Sequence, residues 1–329
     1  MPIPLSPPLS ARMACLSAVA AALVLVSVPA SASGPSFTSM VVFGDSLSDT
    51  GNLFALTGGT YPPFPYDNGR FSNGPLAVEW LASGLGLTGP KFDNWAIAGA
   101  TTDTWGSADA SLGGYPTGML SQLAGYQSSL GGGSADSAAL YFVMGGANDL
   151  RYGDLSTPLA ASHTVDVAVA NLKSIVTSLH ALGAQKFFLP NLPDLGLTPE
   201  SVAGGTSAGS SALSALFNQR LAAAYDDLKQ TWSDETFYDI DLPSIQYQQV
   251  AGAPANGFTN LTGQCILTAG CVASNAAGFV YWDNVHPSAA THAILGAAML
   301  AAVPEPESLL LVALAGLALL GTRRRRLSA

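Results

Sequence analysis

The sequence predicts a one-domain α/β protein, a parallel sheet with helices on both faces. Five short apolar runs, each bounded by turn residues, read as buried strands. Apolar residues at helical spacing lie between them. Strands that alternate with helices pair in parallel, because a parallel partner needs a crossover long enough to hold a helix. Setting aside two terminal segments leaves about 270 of the 329 residues, which fits one domain around five strands.

The first strand is expected at 39–44, where an apolar run stops at Gly44 and small, acidic and hydroxylic residues follow. A weaker helical pattern covers 75–84. The second strand is 92–98, followed by Gly99, and a second weak helix lies at 119–130. The third strand, 139–144, runs into Gly145-Gly146-Ala147-Asn148-Asp149. Val165, Val169, Leu172, Val176 and Leu179 step by four, three, four and three, which is one helix face. The fourth strand is 186–190. Leu213, Phe217, Leu221, Ala224 and Leu228 mark another helix, and the fifth strand is 236–240. The last helix is expected from Ser288 through Met299. Two long stretches, 57–73 and 252–279, carry no periodicity, and loops of that length are usually functional or tied down.

Both ends read as processing signals. Arg12, the apolar run 14–28 and Ala30-Ser31-Ala32 have the order of a secretory signal peptide, with cleavage expected after Ala32 by signal peptidase. At the other end Pro304-Glu305-Pro306 leads into the apolar run 309–320 and four arginines at 323–326. That run is short for a permanent span, and the arginines are expected on the cytoplasmic side with the body outside. The division is therefore a signal peptide at 1–32, a body at 33–302 and a tail at 303–329.

Without the ends, the body keeps 7 basic and 20 acidic residues, a net charge near −13. Such a balance argues against nucleic acid or anionic membrane as a partner. Of three cysteines, Cys15 lies in the signal segment, and Cys265 and Cys271 are expected to pair in an oxidising compartment. Their spacing does not make a zinc site, and no metal or cofactor is expected.

In an open parallel sheet, ligands bind beyond the carboxyl ends of the strands, so the candidate site residues are sought there. Ser46 follows the first strand on a sharp turn, with its N–H expected at a helix N-terminus. A helix cap alone would also explain it. It is not a G-x-S-x-G elbow, because Ser48 stands where the second glycine would be. A serine nucleophile needs a base. His163, His180 and His292 fall in or beside helical patterns and read as packed or solvated. His286 lies in an irregular segment three residues after Asp283, close enough for that carboxylate to hold Nδ1–H and leave Nε2 free as base. Acyl transfer also needs donors for an oxyanion. Gly99 offers an exposed N–H after the second strand, and Asn148 a side-chain amide after the third. Taken singly, each is an ordinary turn residue. Asp45 and Asp49 read as turn and cap groups.

Together the four sites resemble the GDSL, or SGNH, hydrolase family. The serine block is Phe43-Gly44-Asp45-Ser46-Leu47-Ser48-Asp49-Thr50-Gly51-Asn52, and the glycine block is Asn94-Trp95-Ala96-Ile97-Ala98-Gly99-Ala100. Gly146-Ala147-Asn148-Asp149 is the asparagine block, and Asp283-Asn284-Val285-His286-Pro287 the histidine block. Gly69-Arg70-Phe71-Ser72-Asn73-Gly74-Pro75 and Gly257-Phe258-Thr259-Asn260 resemble the lecithinase/hemolysin-like branch, which includes bacterial lipases and esterases. The resemblance implies a flavodoxin-like three-layer α/β/α sandwich. It implies Ser46 as nucleophile, His286 as base and acid, and Asp283 as its partner. The oxyanion hole would be the Ser46 N–H, the Gly99 N–H and the Asn148 amide. Where the family often has a double glycine, Ala98 precedes Gly99 here, and its methyl is expected to narrow the approach slightly. Tyr61, Phe64, Tyr66 and Phe71 either line an acyl pocket or form the core of their loop.

The tail resembles the PEP-CTERM sorting segment of Gram-negative bacteria. That implies exosortase processing and display at the cell surface or in the extracellular matrix, with the apolar run as a transient transmembrane helix. The expected function is a secreted serine ester hydrolase acting on lipid or short-chain acyl esters. An acyltransferase, a polysaccharide O-deacetylase and a matrix protein on an inactive scaffold are the alternatives.

Overall fold

The computed structural model of the chain describes residues 37–303. The expected signal peptide and the run at 309–320 lie outside the described residues. Among the described residues, no helix is long and apolar enough to cross a membrane. In chain order the elements are β1 (Met40–Gly44), α1 (Asn52–Leu56), α2 (Ala77–Gly84), β2 (Phe92–Asn94), α3 (Met119–Ser129), β3 (Leu140–Met144), α4 (Ala147–Tyr152) and α5 (Pro158–Ala181). They continue with β4 (Lys186–Pro190), α6 (Pro199–Ala203), α7 (Ser207–Thr231), β5 (Thr236–Ile240), α8 (Leu242–Ala251), β6 (Asn260–Gln264), β7 (Phe279–Tyr281) and α9 (Ala289–Ala301).

Five strands form a parallel sheet in the order β2-β1-β3-β4-β5. The order reverses beside β1, which opens a crevice at the carboxyl end of β1 and β3. Successive side chains of a strand point to opposite faces, and the apolar residues divide accordingly. Val41, Phe43, Tyr141, Val143, Phe187 and Leu189 pack under α3, α5 and α7. Met40, Val42, Leu140, Phe142, Met144 and Phe188 pack under α2, α8 and α9. The central strands β1, β3 and β4 are covered on both faces and are continuous apolar runs, whereas the edge strands β2 and β5 carry exposed Asp93, Thr236 and Asp239.

Four of the five expected strands agree to within a residue. The second is shorter: β2 ends at Asn94, yet Trp95 N–H and Ile97 N–H still donate to Val42 and Gly44 carbonyls of β1, at 2.8 and 3.2 Å. The helix expected from Val165 begins seven residues earlier, because Thr157 caps it by accepting from Ala160 N–H at 3.1 Å and Pro158 opens its first turn. Ser288 caps α9 in the same way, accepting from Thr291 N–H. The helices α1, α4, α6 and α8 and the strands β6 and β7 were not among the expected elements. Within 252–279 the chain forms β6, which pairs in parallel with β7 outside the main sheet. The polar residues of β6 gave no alternation to read.

Candidate active site

Three loops at the carboxyl ends of β1, β2 and β3 meet the segment before α9, and together they build the site. β1 has to end in glycine. A Cβ on Gly44 would fall 2.8 Å from the Met144 carbonyl of β3. Gln122 of α3 holds this point by accepting from Gly44 N–H at 3.0 Å and donating to Gly44 O at 2.9 Å. The chain then turns, with Ser48 and Asp49 N–H both donating to the Asp45 carbonyl. The structure corrects one expectation here. Ser46 does not sit at a helix N-terminus, because α1 begins only at Asn52 and the intervening residues form a separate turn. The N–H of Ser46 makes no hydrogen bond among the described residues.

Opposite this turn, Ser46 Oγ donates to His286 Nε2 at 2.7 Å. His286 Nδ1 donates to Asp283 Oδ2 at 2.7 Å. The other carboxylate oxygen, Oδ1, accepts from the N–H of Val285 at 2.9 Å and of His286 at 2.7 Å. Burial raises the Asp283 carboxyl, but the facing His286 and these donors outweigh it and hold it down at about 2. An ionised Asp283 can only accept, so the imidazole carries its proton on Nδ1 and presents Nε2 as the acceptor. Short spacing makes this possible, since three residues of chain form one turn whose own N–H groups bind the carboxylate.

Gly99 has φ +82, a backbone conformation that side chains rarely adopt, and a Cβ there would meet Ser107 Oγ at 2.2 Å. Its N–H makes no hydrogen bond among the described residues. Asn148 lies in the first turn of α4. Its Nδ2 donates one proton to the Ala100 carbonyl at 2.9 Å, which fixes the amide and leaves the second proton for the cleft. Ala98 is buried with Leu53 and Phe71, and its N–H donates to Asp49 Oδ2 at 2.8 Å.

Asp45 and Asp49 are turn and cap groups. Asp45 accepts from Leu47 N–H at 3.0 Å, and burial raises its carboxyl to about 6. Asp49 also accepts from Gly51, Asn52 and Leu53 N–H, so it caps α1 while reaching the Gly99 loop. Asp149 does the equivalent work on the other side. It accepts from Thr102 N–H at 2.9 Å and Thr102 Oγ1 at 2.7 Å, and burial raises it to about 6. Gln122 and Asp149 were not read from sequence as site residues, because their partners lie 78 and 47 positions away.

Ser46, Gly99, Asn148 and His286 face an open cleft of about 840 Å³, lined also by Leu53, Tyr61, Tyr66, Phe71 and Leu112. Phe64 is 90% exposed and is not among the lining residues. The other histidines are elsewhere or differently used. His163 lies in the first turns of α5. His180 stacks on Trp232 at 3.9 Å and meets Glu235 at 2.9 Å. Buried His292 accepts from Ala77 N–H on Nδ1, and burial lowers it to about 3, so it stays neutral. Cys265 and Cys271 have Cα atoms 5.3 Å apart, within disulfide range, and pack with Trp282 beside Asp283. Among the described residues, no three His, Cys, Asp or Glu side chains gather as a metal site.

Residues 40–299 match the GDSL-like Lipase/Acylhydrolase family, and residues 302–326 match the PEP-CTERM protein-sorting motif. The chain is similar to the GDSL esterase/lipase APG of Arabidopsis thaliana, 28% identical over 79% of this chain and 89% of the relative. It is also similar to the phosphatidylcholine-sterol acyltransferase of Aeromonas hydrophila, 29% identical over 83% of this chain and 92% of the relative. Among solved structures, a GDSL-like lipase of Parabacteroides merdae ATCC 43184 aligns with a TM-score of 0.45 at 13% identity, covering 81% of this chain and 96% of that one. The family match spans both faces of the sheet and every loop of the site, and on it the chain belongs to the GDSL-like lipase/acylhydrolase family of carboxylic ester hydrolases.

Proposed function

We propose that the protein is an exported serine hydrolase of acyl esters, with Ser46, His286 and Asp283 as its triad. The observation that carries this reading is the pair of 2.7 Å contacts, Ser46 Oγ to His286 Nε2 and His286 Nδ1 to Asp283. Ser46 Oγ attacks the acyl carbonyl and its proton passes to Nε2. The carbonyl electron pair moves onto oxygen, where the N–H groups of Ser46 and Gly99 and the free Asn148 amide proton receive it. When the pair returns, the bond to the alcohol breaks and the alcohol takes the proton from Nε2. Water then repeats the sequence on the acyl-enzyme, giving its proton to Nε2 and releasing the acid and free Ser46. Asp283 stays ionised throughout and stabilises the imidazolium. No metal or cofactor enters the scheme.

Export rests on the signal-like segment at 1–32 and on the sorting motif. Signal peptidase and an exosortase are its processing partners, the Gram-negative cell surface or matrix its destination, and the Cys265–Cys271 pair its disulfide. The name of the Aeromonas relative favours a second outcome for the same acyl-enzyme, transfer to an alcohol instead of water. The sorting motif favours acetylated matrix polysaccharide as one substrate.

The test is release of p-nitrophenol from acetyl, butyryl and longer acyl esters by residues 33–302, beside Ser46→Ala. Turnover is expected to vanish in the variant. Turnover that survives Ser46→Ala, or a folded protein inert on every ester, would break the reading. Acyl transfer to an added alcohol, followed by product analysis, separates hydrolase from transferase.

A further inference from the structure

We infer that Tyr66 is a positioning residue for the Asp283–His286 pair, delivered to it by a strap made of residues 66–73. The inference rests on the triad reading above. The strap carries residues 69–73 of the Gly69–Pro75 motif, to which that mechanism assigns no part.

Three contacts fasten the strap to the segment that holds His286. Ser72 Oγ donates to the Pro287 carbonyl at 2.9 Å. Asn73 Oδ1 accepts from Ala289 N–H at 2.8 Å, in the first turn of α9. The Phe71 ring lies 5.1 Å from the His286 ring. On the other side Arg70 grips Glu79 of α2 through two 2.8 Å hydrogen bonds, which ties the strap to the main domain. A stretch with no secondary structure is thereby held at both edges.

At the start of this strap, the Tyr66 hydroxyl donates to Asp283 Oδ2 at 2.7 Å. The same oxygen receives His286 Nδ1–H at 2.7 Å. The phenol ring is fixed edge-on to Trp282 at 6.1 Å and packed on Phe71 at 5.6 Å. Burial and the Asp283 charge push the phenol well above its ordinary range, so it stays protonated and remains the donor. Two donors therefore share one carboxylate oxygen. The phenol draws charge from it and orients it, which weakens the pull of Asp283 on the imidazolium and holds the carboxylate in line with Nδ1. The other titratable groups near the pair are Asp45, His292 and Arg151, from the Ser46 turn, α9 and α4, with Tyr61 beside Tyr66. None of them is hydrogen-bonded to Oδ2, whose donors among the described residues are Tyr66 and His286.

The experiment compares wild type with Tyr66→Phe in the 33–302 protein, with Asn73→Ala as a strap variant that leaves the phenol in place. Tyr66→Phe keeps the ring and its packing. Loss of a buried hydrogen bond to a charged group is expected to lower kcat about three- to tenfold, with KM little changed. The acid limb of kcat/KM is expected to move to higher pH, because the imidazolium is held more tightly by an unshared carboxylate. Asn73→Ala is expected to lower Tm without moving that limb. A Tyr66→Phe profile that superimposes on wild type after scaling would make Tyr66 merely structural and overturn the inference. The His286 ring resonances, followed by NMR against pH, read the same displacement without turnover. An inert wild type would thus sink the hydrolase reading, while the NMR titration still decides the role of Tyr66.

Discussion

Asp49 and Ala98 are joined by a 2.8 Å hydrogen bond from the Ala98 N–H to Oδ2, which ties the turn carrying Ser46 to the turn carrying Gly99. One buried carboxylate receives four backbone N–H groups, from Gly51, Asn52, Leu53 and Ala98. It fixes the spacing of Ser46 and Gly99, the proposed nucleophile and oxyanion donor, although it hydrogen-bonds to neither. Asp49→Ala would strand those donors in the interior. We expect a loss of about 3 kcal/mol in stability, read by urea denaturation, and a fall in kcat larger than any rise in KM. Full activity in a destabilised variant would show that the two turns hold their spacing without Asp49.

Asn148 is fixed by its bond to the Ala100 carbonyl, which leaves one amide proton for its proposed oxyanion role. Asn148→Ala should lower kcat about 10²- to 10³-fold, the usual cost of one oxyanion donor, with KM changed little. Steady-state kinetics on a p-nitrophenyl ester measures this directly. A mainly KM effect would assign the amide to ground-state binding.

Asp149 makes stability depend on pH with a definite sign. Its carboxyl is raised to about 6 in the fold, from an ordinary 3.8, by burial. The folded state therefore holds a proton that the unfolded chain releases as pH passes 3.8. The corresponding stability is present below pH 3.8, is lost as pH rises to about 6, and is constant beyond. Asp149→Asn keeps an acceptor for Thr102 and removes the titration. The Tm of the variant relative to wild type should rise between pH 4 and 6 and then level off. A difference that stays flat over that range would mean that Asp149 is ionised throughout. Asp283 works in the opposite direction, since its carboxyl is held at about 2 and its contribution is lost only as pH falls below 4.

Cys265 and Cys271 are buried against Trp282, the residue before Asp283. A disulfide between them, as proposed above, would close a short loop with a sequence separation of 6 and contribute about 2 kcal/mol on the chain-entropy account. Replacing both cysteines by serine should lower Tm by several degrees and should reduce kcat modestly through Trp282. An unchanged Tm under reducing conditions would show that the pair is not oxidised in the protein.

The central strands β1, β3 and β4 were legible because burial on both faces demands continuous apolar runs, and these are visible one residue at a time. Residues 186–190 and 236–240 match the observed strands end for end. The Ser46, Gly99, Asn148 and His286 blocks were legible because each carries small residues directly after a strand or before a helix. Asp283 and His286 were legible as a pair because they lie within one turn of chain. Residues 57–73 and 252–279 were opaque for the opposite reason. Their order comes from side chains bonding to distant backbone, as in Ser72 to Pro287, and such contacts leave no local period.

The strands of the main sheet, the helices α2, α3, α5, α7 and α9 and the four blocks of the site could be read from the sequence alone, since periodicity and turn chemistry act over a few residues. Tertiary structure decided what brings those blocks into register. The contact between Ser46 and His286 crosses 240 positions, and that between Tyr66 and Asp283 crosses 217. Asp49, Gln122 and Asp149 read locally as ordinary polar residues. Only the fold brings Ala98, Gly44 and Thr102 within hydrogen-bonding distance of them in a buried space, where a polar group must be paired.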